Sequence, residues 1–138
     1  MALSTLEKVL FLKSASLFEK ISSEKIVDMV PIVHEIAIKK GETFINKGDE
    51  GDCLYILVEG EVVATDDQQG RTVLRVVEKR EVIGELAVLS EQPRTAYCTA
   101  QTDVVALRID KGDFWKLINE QPQIAIEVMK VLVQRYID

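Results

Sequence analysis

Between Ile32 and Asp110 the chain breaks its hydrophobic pattern every few residues, and this punctuation limits the fold more than any other feature. His34-Glu35-Ile36-Ala37-Ile38 alternates with a period near two, the spacing of a strand that buries one face. Gly41-Glu42 turns the chain into Thr43 to Asn46, and Lys47 to Asp52 is an acidic, turn-rich loop. Cys53 to Val58 is a continuous apolar run, broken at Glu59-Gly60 and continued over Glu61 to Thr65. Asp66-Asp67-Gln68-Gln69-Gly70 forms a hairpin turn, with Thr72 to Val77 returning. Arg94 to Ala100 and Val104 to Ile109 read as two more strands. Short strands at this spacing argue for an antiparallel barrel or sandwich.

Helical patterns flank this region. Leu3, Leu6, Val9 and Leu10 recur at helical spacing, as do Leu17, Phe18, Ile21 and Ile26. Ser4 and Glu7 have capping-box spacing, Ser22 precedes a second helix start, and Pro31 closes the region. After the strands, Lys111-Gly112-Asp113 leads into a helix over Phe114 to Ile118. Pro122 suits the first turn of another helix running to about Ile137, with Ile124, Val128, Val131 and Leu132 as its apolar stripe. The expected organisation of the 138 residues is one domain: helices over 1–30, a β region over 32–110 and helices over 111–138. The sequence is compatible with a stand-alone domain or a segment of a longer protein.

Composition narrows the function. The formal net charge is −6, so the chain lacks the basic footprint of a duplex-DNA binder or of a protein drawn to anionic membranes. Its longest apolar runs, such as Cys53 to Val58, fall far short of the ~18–20 residues of a membrane span. Glu7, Lys8 and Lys13 interrupt the N-terminal apolar stretch, which reads as an amphipathic helix rather than a signal peptide. A cytoplasmic location is expected. Cys53 and Cys98 fall in apolar runs and are expected to be buried, reduced thiols. One histidine, His34, and two scattered cysteines argue against a zinc or iron site, and His34 reads as a strand-surface or capping residue. Asp49, Glu50 and Asp52 lack the spacing and closing glutamate of a calcium loop.

The segment Gly84 to Ala96, GELAVLSEQPRTA, carries the chemistry. Gly84 to Ser90 is too short and too rich in alanine and leucine for a strand here, and reads as one short helix. A helix N-terminus offers unpaired backbone N–H groups to an anion, and Gly84 lets a ligand approach the backbone. Arg94, ten residues on, can fork onto a phosphate. Glu85 repels a phosphate but accepts hydrogen bonds from sugar hydroxyls. Together these groups fit a phosphorylated sugar. Taken without any family likeness, Glu85 and Arg94 read first as a surface ion pair worth about 0–1 kcal/mol. Leu86, Val88 and Leu89 read as core-packing residues of the short helix, and Trp115 as a packing anchor.

Gly-Glu-Leu-Ala-Val-Leu followed by Pro-Arg-Thr-Ala resembles the phosphate-binding cassette of cyclic nucleotide-binding domains. A second stretch, Gly41 to Asp49 and then Leu54 to Val62, resembles the glycine-punctuated early strands of the same family, and the likeness runs roughly from Leu17 to Val133. The resemblance implies a mainly β fold with flanking helices: an eight-stranded antiparallel β-roll, jelly-roll-like, with N-terminal helices, a short cassette helix and C-terminal helices. It implies that Glu85 binds the ribose 2′-hydroxyl and Arg94 the cyclic phosphate. Backbone amides near Gly84, Leu86, Ala87 and Ala96 would cradle the phosphate, with Thr95 beside phosphate and base. Ile45, Ala64 and Leu74 would form apolar walls around sugar and base.

The sequence departs from the family at Lys79-Arg80-Glu81-Val82-Ile83, where glycine and an aromatic are common, so a different turn into the cassette is expected. The expected function is a non-enzymatic regulatory module whose ligand is cAMP, or else cGMP, with no other cofactor and no metal. It would signal by moving its C-terminal helix, with a homodimer through that helix or an effector domain on a longer chain as partner. The alternative is the same fold without nucleotide binding, as an interaction or dimerisation unit. A cupin-like metalloenzyme would need more than one histidine.

Overall fold

The computed structural model describes residues 2–137, so Met1 and Asp138 of the expected module lie outside the described residues. Helix α1 (Thr5–Ser14) starts as the sequence predicts: Ser4 Oγ accepts from the Glu7 amide at 3.1 Å and the Ser4 amide donates to Glu7 Oε1 at 3.0 Å. Its inner face differs from the expected stripe. Leu12 is buried and Val9 and Phe11 pack beside it, whereas Leu6 and Leu10 are exposed. Leu6 and Leu10 form an i, i+4 row of their own, and helical spacing does not say which row meets the core. A 3₁₀ turn (Ser16–Phe18) buries Leu17 and Phe18, and α2 (Ser23–Met29) is capped by Ser22. Pro31 lies in a second 3₁₀ turn that leads into the first strand.

Eight strands follow: β1 (Val33–Ile38), β2 (Thr43–Ile45), β3 (Cys53–Glu59), β4 (Val62–Thr65), β5 (Val73–Val77), β6 (Val82–Ile83), β7 (Tyr97–Ala100) and β8 (Val104–Asp110). They form two four-stranded antiparallel sheets, ordered β1-β8-β3-β6 and β2-β7-β4-β5. The eight-stranded β-roll is therefore as the sequence implies. Strand β3 explains its unbroken apolar run. Leu54, Ile56 and Val58 pack into the core shared with the helices, while Cys53, Tyr55 and Leu57 pack inside the roll. A strand covered on both faces has no polar side to alternate with.

Helix α3 (Glu85–Ser90) is the predicted short helix. Helix α4 (Lys111–Glu120) extends beyond the expected Phe114 to Ile118, and α5 (Pro122–Ile137) begins at Pro122. Ile124, Val128 and Val131 are buried, with Leu132 packed against the same core. Among the described residues no helix is long and apolar enough to cross a membrane.

The departure at Lys79 to Ile83 is a tight turn. Arg80 adopts φ 76°, a left-handed conformation unusual for a side-chain-bearing residue. Its amide donates to the Leu57 carbonyl at 2.7 Å, which hands the chain to β6 beside β3. Strand β7 begins only at Tyr97, so Arg94 lies in a loop and not at a strand start. The Gly48 amide donates to the Arg94 carbonyl at 2.9 Å and the Arg94 amide to the Asp49 carbonyl at 2.8 Å. These bonds tie the cassette to the acidic loop instead of to a sheet neighbour.

Candidate functional site

The turn from β6 into α3 is made by Gly84, at φ 84°. A β-carbon there would be strained by that φ and would stand 2.1 Å from Arg94 Nη1. The acidic loop packs equally closely: a β-carbon on Gly51 would meet the Ala87 β-carbon at 2.3 Å. Glycine at these two positions lets α3, the acidic loop and the Arg94 loop converge.

The start of α3 and the Arg94 loop, with strand residues of the roll, enclose a cavity of about 260 Å³, near the ~300 Å³ lower end of small-molecule pockets. All ten residues expected at the site line it. Gly84, Glu85, Leu86 and Ala87 come from the start of α3, and Arg94, Thr95 and Ala96 from the loop before β7. Ile45, Ala64 and Leu74 come from β2, β4 and β5. Sequence reasoning missed Arg75, Val77, Ile83 and Cys98, which line it too. Cys98 follows Ala96 at strand spacing and was findable on that ground. Arg75 was not, because its guanidinium bends toward the Val82 carbonyl (3.4 Å) and Glu81 (3.6 Å).

One expected core residue is not core, and one expected wall residue is largely exposed. Leu86 is exposed at the start of α3, where only Ala87 and Val88 are buried. Leu74 is exposed on β5, which is an edge strand. Both sit at the cavity's apolar rim, because a short helix and an edge strand each leave one side uncovered. Trp115 is an anchor of a polar kind: its indole Nε1 donates to the Val88 carbonyl at 3.1 Å, tying α4 to the cassette helix.

Arg94 is 6% exposed. Its Nη2 donates to the Cys53 carbonyl at 2.6 Å and its Nη1 to the Gly84 carbonyl at 3.2 Å, while Asp52 Oδ1 lies 3.7 Å from Nη2. A buried guanidinium needs such acceptors, since an unpaired charge there would be costly. A guanidinium carries five N–H donors, and these two carbonyls take one each, so donors remain for an anion in the cavity. Glu85 and Arg94 do not pair with each other. Glu85 Oε1 accepts from Arg135 Nη1 of α5 at 3.1 Å.

The thiols are inward-facing. Cys53 and Cys98 are free and buried, as expected. Burial pushes the Cys98 thiol up to about 11, against the pull of Arg94 and Arg75. Burial also raises Cys53 and, on β3, the Tyr55 phenol.

Residues 35–121 match the cyclic nucleotide-binding domain. The chain is 32% identical over 114 residues to the cGMP-dependent protein kinase egl-4 of Caenorhabditis elegans, covering 80% of this chain and 15% of the kinase. It is 27% identical over 126 residues to a CRP-like cAMP-activated global transcriptional regulator of Mycobacterium tuberculosis, covering 90% of this chain and 56% of the regulator. The chain thus spans only part of these relatives. Among solved structures, the N-terminal domain of a transcriptional regulator from Streptomyces coelicolor A3(2) superposes with a TM-score of 0.79 at 32% identity, covering 91% of both chains.

Proposed function

Because this chain belongs to the cyclic nucleotide-binding domain family, we propose that it binds a cyclic mononucleotide, cAMP in preference to cGMP, at Gly84 to Ala96 and passes occupancy to α5. The observation that carries this reading is the placement of a buried arginine and a glutamate on one apolar-walled cavity. The remaining donors of Arg94, with the amides at the start of α3, neutralise the cyclic phosphate. The apolar Ile45, Ala64 and Leu74 offer no hydrogen-bond partner to the base, which leaves more polar groups unpaired on guanine (N1–H, the 2-amino group and O6) than on adenine (N1 and the 6-amino group) and so favours adenine. The relatives divide between a cGMP-dependent kinase and a cAMP-activated regulator, so both ligands belong in the test.

Glu85 serves two partners. Its Oε1 holds Arg135, and Oε2 is left to accept from the ribose 2′-hydroxyl. Arg135 in turn donates through Nη2 to Ser16 Oγ at 3.1 Å, so a shift at Glu85 reaches both α5 and the N-terminal 3₁₀ turn. Ligand binding biases the position of α5 through this carboxylate. The module binds without turning over its ligand. On its outward side α5 exposes Ile126, Met129, Val133 and Tyr136 at steps of three and four, a stripe suited to a second copy or an effector segment.

Calorimetric titration of cAMP and cGMP into the wild type and Arg94→Ala tests the assignment, with thermal scans confirming that both fold. The variant is expected to lose about 2–5 kcal/mol of binding free energy. Absence of wild-type binding at millimolar ligand overturns the reading, and equal binding by both proteins overturns the role of Arg94. A cGMP preference abolished by Thr95→Ala would assign base selection to Thr95.

A further inference from the structure

We propose that His34, Asp110 and Asp113 form a binding site for a transition-metal dication, with Zn²⁺ the best fit. None of the three lines the cavity at Gly84 to Ala96. His34 lies on β1, Asp110 ends β8 and Asp113 stands in the first turn of α4, yet their ligand atoms all lie within 4.8 Å of one another.

Asp110 occupies the N-cap position of α4, where an aspartate ordinarily accepts from the first-turn amides, and here its side chain makes no such bond. Its carboxylate instead faces the cluster. Among the described residues its one ion pair is with Arg108, whose Nε lies 3.1 Å from Oδ1 but makes no hydrogen bond. His34 and Asp113 have no side-chain hydrogen bond or ion pair among the described residues. Two carboxylates held this close repel each other, and Arg108 offsets one of the two charges. A dication among the three would more than offset the negative charge that remains.

The donor set selects the ion. An imidazole nitrogen with two carboxylate oxygens suits zinc and its neighbours better than magnesium or calcium, which prefer oxygen alone. Ligands about 2.0–2.2 Å from a tetrahedral Zn²⁺ stand roughly 3.4 Å apart, so atoms within 4.8 Å of one another need to draw together only a little. Three protein ligands leave the fourth position to water. Since the donors come from β1, β8 and α4, the ion would pin the start of α4 to the sheet.

Calorimetric titration of Zn²⁺ into the chelator-stripped protein tests this, with Mg²⁺ alongside. NMR follows the imidazole of His34, the one histidine in the chain. The wild type is expected to bind one Zn²⁺, shift the His34 signals and unfold at a higher temperature with the ion than without it. His34→Ala and Asp113→Asn, both at exposed positions, should each bind at least about tenfold more weakly and lose the thermal shift. No binding by the wild type, an unchanged isotherm in His34→Ala, or equal binding of Mg²⁺ would overturn the site.

Discussion

The guanidinium of Arg135 on α5 reaches Glu85 at the first position of α3, with Nη1 3.1 Å from Oε1. The pair joins residues fifty positions apart and is the direct polar link between the cavity and the C-terminal helix. Glu85 is sheltered, at 12% side-chain exposure, while Arg135 is 41% exposed. A partly solvated pair of this kind contributes about 0–1 kcal/mol, so its importance lies in what it connects.

Arg135→Ala is therefore expected to weaken cAMP binding only a few-fold, while Glu85→Gln, which changes the carboxylate facing the ribose, weakens it more. The two effects should not add, because both variants break the same contact. A double-mutant cycle by calorimetry measures this. Strict additivity would mean that Arg135 and Glu85 act separately.

Gly84→Ala should abolish ligand binding and lower stability together. The left-handed backbone alone costs an ordinary residue about 1 kcal/mol or more, and the new methyl collides with the Arg94 guanidinium. Thermal unfolding and titration of the same sample check both parts.

Trp115 is the only tryptophan, and its indole is hydrogen-bonded to the last turn of the cassette helix. Intrinsic fluorescence is expected to change on cAMP binding, at the midpoint calorimetry gives. Trp115→Phe removes the signal and costs roughly 0.5–1.5 kcal/mol of stability for the lost hydrogen bond. Binding seen by calorimetry with no change in emission would show that the cassette helix stays still against α4.

The buried thiols give the fold an alkaline limit. The Cys98 thiol is raised from its ordinary 9.0 to about 11, so the folded state favours the protonated form. Between those values the unfolded chain releases its proton first, so stability is complete below about pH 9 and falls as pH rises toward 11. Cys98→Ala should flatten this part of a plot of melting temperature against pH. Neither cysteine is expected to react with a disulfide reagent at neutral pH until the protein unfolds.

Much of this was readable from residue order. The capping box at Ser4 and Glu7, the β3 run, the short helix after Gly84 and the start of α5 at Pro122 are local features, set by backbone chemistry within a few residues. The ten cavity residues were named through the likeness to cyclic nucleotide-binding domains, and seven of them sit in the one short segment Gly84 to Ala96.

Partnerships were not readable. Charge alone made Glu85 and Arg94 natural partners, yet Glu85 holds Arg135 and Arg94 turns to Cys53, Gly84 and Asp52. Leu86 read as core by pattern and Leu74 as a site wall, but a six-residue helix and an edge strand leave both exposed at the cavity rim. His34 read as a strand-surface or capping residue, and the antiparallel pairing of β1 with β8 brings it near Asp110 and Asp113. Sequence by itself determined the elements and the chemistry of the Gly84 to Ala96 segment, because helix, strand and turn preferences act over a few neighbouring residues. Tertiary structure decided which charges meet and which apolar groups stay exposed, because those depend on contacts between residues far apart in the chain.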